Sequence, residues 1–456
     1  MTSKAPAAPV LTLGWYPFAL SVFAVLVAAE YVGPVIALAA AAAVAGSGVI
    51  WIRHLPWPRF PPAGGWLLAI LILGLAGAIV ANAFGTTPLD IDLQRDIGIT
   101  LTYLLFLGIG YLFACDRASL RAILTVVAAA GLVISIVHLI RFGIVVSGGV
   151  SDLYVLRLEA GRGSHTQYAA LGACLLLAAD AGLRRWRRVV QTVGVIVTVS
   201  MLLTLSRGLM LNLVVLLAVM AALTVSPNRT LIPSLRQLVS AIVPAAAAVF
   251  ATLLALRWFV PPAYQFLDQV FLAKVENSLT EVATTNLETR DQIADNYRAF
   301  ESRRALAQVD RSPVFAQWLG QGWGSVVRFG VETASTRASF SRTEAAFLHN
   351  GYVYYLMKTG IAGLVAYLAF LGHLAFRAIS GRYWPAGRLV ATQRKVLLAT
   401  VIVLAIDTPV TGGLGYPATY LGLVTLLGAC CGPLWGRAPD SAREEQGWLS
   451  ADAGRC

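Results

Sequence analysis

The chemistry in this sequence rests on a few ionisable side chains set among long apolar runs. His349 stands in AFLHNGYVYYLMKTGIAGL, where a polar segment gives way to a run apolar enough to enter a membrane. An imidazole at such a boundary is partly desolvated yet still reaches an aqueous substrate, which suits a general base. Asn350, next in the chain, is placed to orient that ring or to bind a sugar hydroxyl. Arg207, in LTLSRGLML, lies in a turn so short that the flanking apolar runs nearly meet, so its guanidinium cannot move far into water. An arginine kept at membrane depth costs about 2.5–3.5 kcal/mol on insertion scales, which makes it a functional candidate.

Arg162, in LRLEAGRGSHTQYA, is flanked by glycines that let the backbone approach a ligand. A helix expected from about Ser164 would offer its free N–H groups to an anion there, while Glu159 can neutralise nearby Arg157. Arg290 comes early in an expected helix, where the macrodipole disfavours a cation, so helix stability does not account for it. Arg298, Arg303, Arg304 and Arg311 on the same element read instead as a solvated face paired with Glu301 or Asp310. Asp90-Ile-Asp92 has a spacing that can hold a divalent cation against a diphosphate, but Arg95 is close enough to be an ion-pair partner, and no metal is expected. His138, inside an apolar run, reads as structural, whereas His165 and His349 fall at the outer surface.

Cys115, Cys174, Cys430, Cys431 and Cys456 show no metal-ligand spacing, and neither a zinc site nor a disulfide framework is expected. P-loop, dinucleotide-fingerprint and Ser-x-x-Lys patterns are missing from the sequence, so no cofactor is expected.

The elements that must position these groups are membrane helices. Of the 456 residues 57% are hydrophobic and 13% charged, with mean hydropathy +0.71, against about 25% charged in an ordinary soluble domain. A soluble enzyme is excluded. Apolar runs near 15–30, 32–52, 66–84, 96–114, 122–140, 166–182, 189–205, 208–225, 238–260, 346–376, 396–410 and 414–436 give about twelve spans of roughly 20 residues. The fold expected is an all-α polytopic membrane protein. With the N-terminus in the cytoplasm, every inside connection carries arginine, from Arg53 and Arg59 through Arg117 and Arg121, Arg184 to Arg188, Arg229 and Arg236, to Arg388 and Arg394. Both termini are then cytoplasmic. The net charge of +12 therefore reflects topology, not a nucleic-acid partner.

The chain divides into membrane helices over 1–260, an outer loop domain over 261–345, further membrane helices over 346–436 and a cytoplasmic tail over 437–456. The loop is expected to hold a helix opened by the capping box Thr285-x-x-Glu288, running to about Val309 and stopping before Pro313, and then a flexible turn, LGQGWG.

His349-Asn350, nine residues, then Gly360-x-x-Gly363 resembles the signature of the bacterial O-antigen ligase family. The likeness extends to the span count, the large loop directly before the motif, Ser206-Arg207-Gly208 on the outer side and Arg290 early in a loop helix. It implies a GT-C-like membrane glycosyltransferase in the bacterial inner membrane, with its active site at the periplasmic face. Such an enzyme moves a glycan from undecaprenyl diphosphate to a sugar of the lipid A core without nucleotide or metal. It also implies His349 as the base and Arg207, Arg290 and Arg162 as the diphosphate-binding arginines.

Two other readings remain open. One is a polymerase of the same superfamily, with a second lipid-linked glycan as acceptor. The other is a transporter of polyprenyl-linked glycans, for which Lys358 is the main ionisable group deep in a run. Lys358 otherwise needs only a carbonyl or carboxylate partner.

Overall fold

The computed structural model of the chain describes residues 15–31, 62–83, 91–114, 117–148, 155, 159–161, 164–204, 206–225, 257–258, 296–334, 341–380, 387–415 and 420–432. The run near 32–52, most of 238–260, the capping box at Thr285 and Glu288, and the tail 437–456 lie outside the described residues, as do Asp90, Arg162 and Arg290.

The expected apolar runs within those residues are helical. They form α1 (Trp15–Tyr31), α2 (Pro62–Ala83), α3 (Ile91–Phe113), α4 (Arg117–Ser147), α5 (His165–Ala179), α6 (Arg187–Leu203) and α7 (Arg207–Val225). The outer segment contributes α8 (Tyr297–Asp310), α9 (Val314–Leu319), β1 (Val327–Ala334) and β2 (Ser341–Ala345). The chain then returns through α10 (Gly351–Ile379), α11 (Arg388–Thr411) and α12 (Leu421–Cys430). Among the described residues six helical stretches are long and apolar enough to cross a membrane, namely α2, α3, α4, α6 with its preceding 3-10 turn, α10 and α11. Ile136, Ile140 and Ile144, four residues apart along α4, point outward and are exposed, which suits a face turned to lipid.

Two features draw the bundle together. α3 and α12 approach until their backbones touch, because a Cβ on Gly110 would lie 2.1 Å from the carbonyl of Thr425 and one on Gly428 2.2 Å from that of Leu107. α10, continuous in sequence, is interrupted at Gly360, where φ is +67° and ψ −170°. The interruption leaves the carbonyls of Met357 and Lys358 to accept from the backbone N–H groups of Gln321 and Gly322, at 2.8 and 3.0 Å. Trp323 completes the insertion, donating from its backbone N–H to Gly74 at 3.0 Å and from Nε1 to Leu71 at 3.1 Å. LGQGWG is thus not the flexible turn expected from its glycines. It is a buried wedge that satisfies a broken helix, and the glycines are there because backbone meets backbone.

Gly360→Ala is expected to destabilise the fold. That backbone region is essentially glycine-only and costs a side chain roughly 1–3 kcal/mol in strain alone, and the new Cβ would also lie 2.2 Å from the carbonyl oxygen of Trp318. Gly363→Ala meets only the Thr359 side chain and is expected to cost less. Thermal unfolding of the two variants in detergent ranks them.

The outer segment also departs from the all-α expectation. β1 and β2 pair antiparallel, with Val327 opposite Ala345, Arg328 opposite Glu344, Thr333 opposite Arg342 and Ala334 opposite Ser341, and with an irregularity between Arg328 and Thr333. The cause lies in VRFGVETA, where Val327 and Phe329 are buried and Arg328 between them is exposed. That period of two is a strand's, not a helix's.

Candidate active site

Asn350 sets the start of α10. Its Oδ1 accepts from the backbone N–H groups of Tyr352 and Val353 at 3.1 and 3.3 Å, capping donors that have no partner inside the helix. The side chain expected to orient the His349 ring or a sugar hydroxyl thus caps the helix, and the ring is held by Glu301 instead.

His349 sits directly before this cap and is held twice by one carboxylate. Its backbone N–H and its Nδ1 approach Oε2 of Glu301 at 3.1 and 2.9 Å. The carboxylate is 3% exposed and the imidazole 37%, so the pair is sealed on one side and open on the other. An ionised carboxylate can only accept, which assigns the proton to Nδ1 and makes Nε2 the basic nitrogen of the ring. Tyr297 meets the His349 ring edge-on at 6.1 Å. Phe329 of β1 packs against Tyr297 and Phe300 of α8 at 6.0 and 5.5 Å, so the strand pair fixes the helix that carries Glu301.

Glu301 departs from the solvated, arginine-paired face expected of it. It shares the buried face of α8 with Ala305 and Val309, at spacings of four and eight, and its partner is His349. That spacing was present in the sequence as a signal. Arg303, Arg304 and Arg311 do lie on the exposed side.

A second group of polar residues gathers at the same end of the bundle. His165 opens α5 and places Nε2 2.8 Å from Oδ2 of Asp407, near the end of α11, while Asn212 of α7 donates to the same oxygen at 2.6 Å. The His165 ring stacks on Tyr420 at 3.8 Å. Arg207 is the first residue of α7, and its neighbour Gly208 lies against Asp407, where a Cβ would be 3.5 Å from Oδ1. Gly351, at the start of α10, lies against Gly412 and Thr408 at the end of the same α11. One helix end thus collects the starts of α5, α7 and α10, and with them His165, the backbone of Arg207, and His349. Asp407 carried a signal too, as a carboxylate inside the apolar run VLAIDTPV.

Below His349 lies a buried ion pair. Lys358 Nζ donates to Oδ2 of Asp96 at 2.6 Å and to the carbonyl of Ser325, and both charged side chains are 0% exposed. Lys358 therefore has the carboxylate and the carbonyl expected of a structural lysine. Asp96 also accepts from the Tyr354 hydroxyl at 3.2 Å and the Gly324 N–H at 2.9 Å. Arg95 pairs with Asp92, as the sequence suggested, and its guanidinium lies 4.0 Å above the Phe347 ring, two residues before His349. His138 is buried with Nδ1 3.0 Å from the Ser200 hydroxyl, a structural placement.

Residues 192–368 match the family model described as O-antigen ligase. Over this stretch the chain is similar to the O-antigen ligase family. The match runs from within α6 through α7 and the outer segment to Leu368 of α10, and so takes in Arg207, Arg290, Glu301, His349, Asn350, Gly360 and Gly363. It bears out the resemblance drawn from the motif. None of the curated proteins compared matches the chain. The match supports the ligase and polymerase superfamily, whose members are membrane glycosyltransferase-like enzymes with, in general, a lipid-linked glycan and a lipid acceptor as substrates. With its apolar helices, the chain is a multi-pass membrane protein.

Proposed function

We propose that this chain is an O-antigen ligase of the bacterial inner membrane, moving a glycan from undecaprenyl diphosphate to a hydroxyl of a lipid A-core sugar at the periplasmic face. The observation that carries the reading is the half-open His349 ring held through Nδ1 by sealed Glu301. The acceptor oxygen attacks the anomeric carbon as its proton passes to Nε2, and the bond from that carbon to the diphosphate oxygen breaks with inversion. Undecaprenyl diphosphate leaves with the electron pair. Its developing charge is met by Arg207, Arg290 and Arg162, since guanidinium groups in a low-dielectric cleft stabilise a diphosphate without a metal. Both termini lie in the cytoplasm, and residues 261–345 form the periplasmic domain.

The test is a reconstituted assay in nanodiscs with lipid-linked donor and lipid A-core acceptor. Covalent product is expected without any ion gradient and in the presence of EDTA. A strict Mg²⁺ or Mn²⁺ requirement would make Asp90 and Asp92 metal ligands, and donor movement without product would make the protein a transporter. In a deletion strain, full-length glycan is expected to accumulate on the undecaprenyl carrier. Single repeat units joined to core would instead identify a polymerase.

A further inference from the structure

Three helices begin together at the end of the bundle remote from His349. α4, α6 and α11 open with Arg117, Arg187 and Arg388, and these arginines, with Arg184, Asp180 and Leu389, line a recess of about 230 Å³. Gly412, just past the other end of the 24-residue α11, is the residue that meets Gly351. At 1.5 Å per residue the recess therefore lies roughly 36 Å from the His349 site.

Among the described residues Asp180 is the one carboxylate lining this recess, against four arginines. None of the three helices has an acidic residue in its first turn, and neither Trp186 nor Gly387 supplies a side-chain cap to α6 or α11. An arginine at a helix start opposes the macrodipole, whereas an anion there satisfies the dipole, the free N–H groups and the guanidinium together. Asp180 is already saturated. It accepts from Arg117 at 2.8 Å, from Arg121 at 2.6 and 2.9 Å, and from the Gly182 N–H at 2.9 Å. Burial pushes its carboxyl up, yet these bonds prevail and hold it at about 2. Arg184, Arg187 and Arg388 are exposed, and among the described residues none of them has a carboxylate partner. A charge bias that only sets topology requires arginines on one side of the membrane. It does not require three helix starts around a cavity.

We propose that this recess binds the phosphate of an anionic phospholipid headgroup from the leaflet on that side. The lipid origin follows from its surroundings. Val189, Val195 and Val199 are exposed along α6, which starts at the recess and turns most of its surface outward. Trp186, exposed and 5.8 Å below the Arg185 guanidinium, stands where an interfacial tryptophan would. Basic pockets between membrane helices take phosphate headgroups in this way, and at roughly 30 Å³ per water the space is that of a chemical group rather than of one or two waters.

The test uses the full-length protein in detergent, titrated with short-chain phosphatidylglycerol, short-chain phosphatidylcholine or inorganic phosphate. Retained ligand is read by native mass spectrometry and stabilisation by thermal unfolding. Phosphatidylglycerol is expected to bind and to raise the unfolding temperature, with no comparable effect from phosphatidylcholine. Arg187→Gln/Arg388→Gln should weaken phosphatidylglycerol binding at least tenfold, while Arg185→Gln/Arg188→Gln, which removes the same charge outside the recess, should leave it within twofold. Equal losses in the two pairs would reduce the effect to diffuse surface charge and overturn the proposal. Stabilisation by inorganic phosphate as strong as that by the lipid would replace the headgroup with a free anion, and unchanged binding in the recess pair would remove the site.

Discussion

His349→Ala is expected to abolish glycan transfer while the protein still folds and still binds the lipid-linked donor. The imidazole is more than one-third exposed, so its removal empties little of the core. Glu301 keeps the backbone N–H of residue 349 as a donor, which limits the cost of leaving a sealed carboxylate with one bond fewer to about 1–3 kcal/mol. The chemistry has no such reserve. A sugar hydroxyl is a weak nucleophile, and a positioned base is worth about 10²–10⁴-fold. The initial rate of product formation with purified substrates should therefore fall at least 100-fold, with donor retention unchanged. Near-normal turnover would remove His349 from the mechanism. Glu301→Gln gives a companion reading, because the amide still accepts a hydrogen bond but cannot balance an imidazolium formed during transfer. Its rate is expected to drop at least tenfold without loss of folded protein, and a wild-type rate would reduce Glu301 to a structural partner.

The membrane body was legible because each span is a long apolar run, and length against bilayer thickness leaves few alternatives. His349 was legible for a related reason, as a titratable residue at the edge of such a run. Glu301 shows where this kind of reading stops. Counting charges along α8 makes it one of several acid and base neighbours, whereas its buried neighbours Ala305 and Val309 show that it faces the core. The wedge LGQGWG is a second instance. Glycines read locally as freedom, and only contact with the interrupted α10 shows that they are small so that two backbones can meet. The strand pair was readable in VRFGVETA, but the pattern is short and a charged, mixed segment obscures it.

The Asp96–Lys358 pair is expected to have the largest effect on stability. Each charge is fully buried and each is held by the other, so deleting Asp96 leaves Lys358 an uncompensated ion, a loss of about 3–5 kcal/mol, while deleting Lys358 leaves Asp96 with the more distant Arg95 alone as a cation. Lys358→Met leaves the Asp96 carboxylate with the Tyr354 hydroxyl, the Gly324 N–H and the Arg95 guanidinium at 3.7 Å, whereas Asp96→Asn leaves an ammonium facing the Ser325 carbonyl, so the second loss is expected to be the larger. Both single variants should lose folded protein in the membrane and unfold at markedly lower temperature in detergent. The double variant Asp96→Asn/Lys358→Met removes both charges together and should recover much of that loss, because a buried pair repays its desolvation only partly. The same cycle bears on the rival transport reading. A transporter needs an intramembrane charge that exchanges partners as the protein moves, whereas this lysine joins α3, α10 and the loop wedge through groups that are themselves fixed. A double variant that folds and still transfers glycan makes the pair a structural tie beneath the His349 site. A double variant that folds but moves neither glycan nor donor would show that the charges act on the substrate.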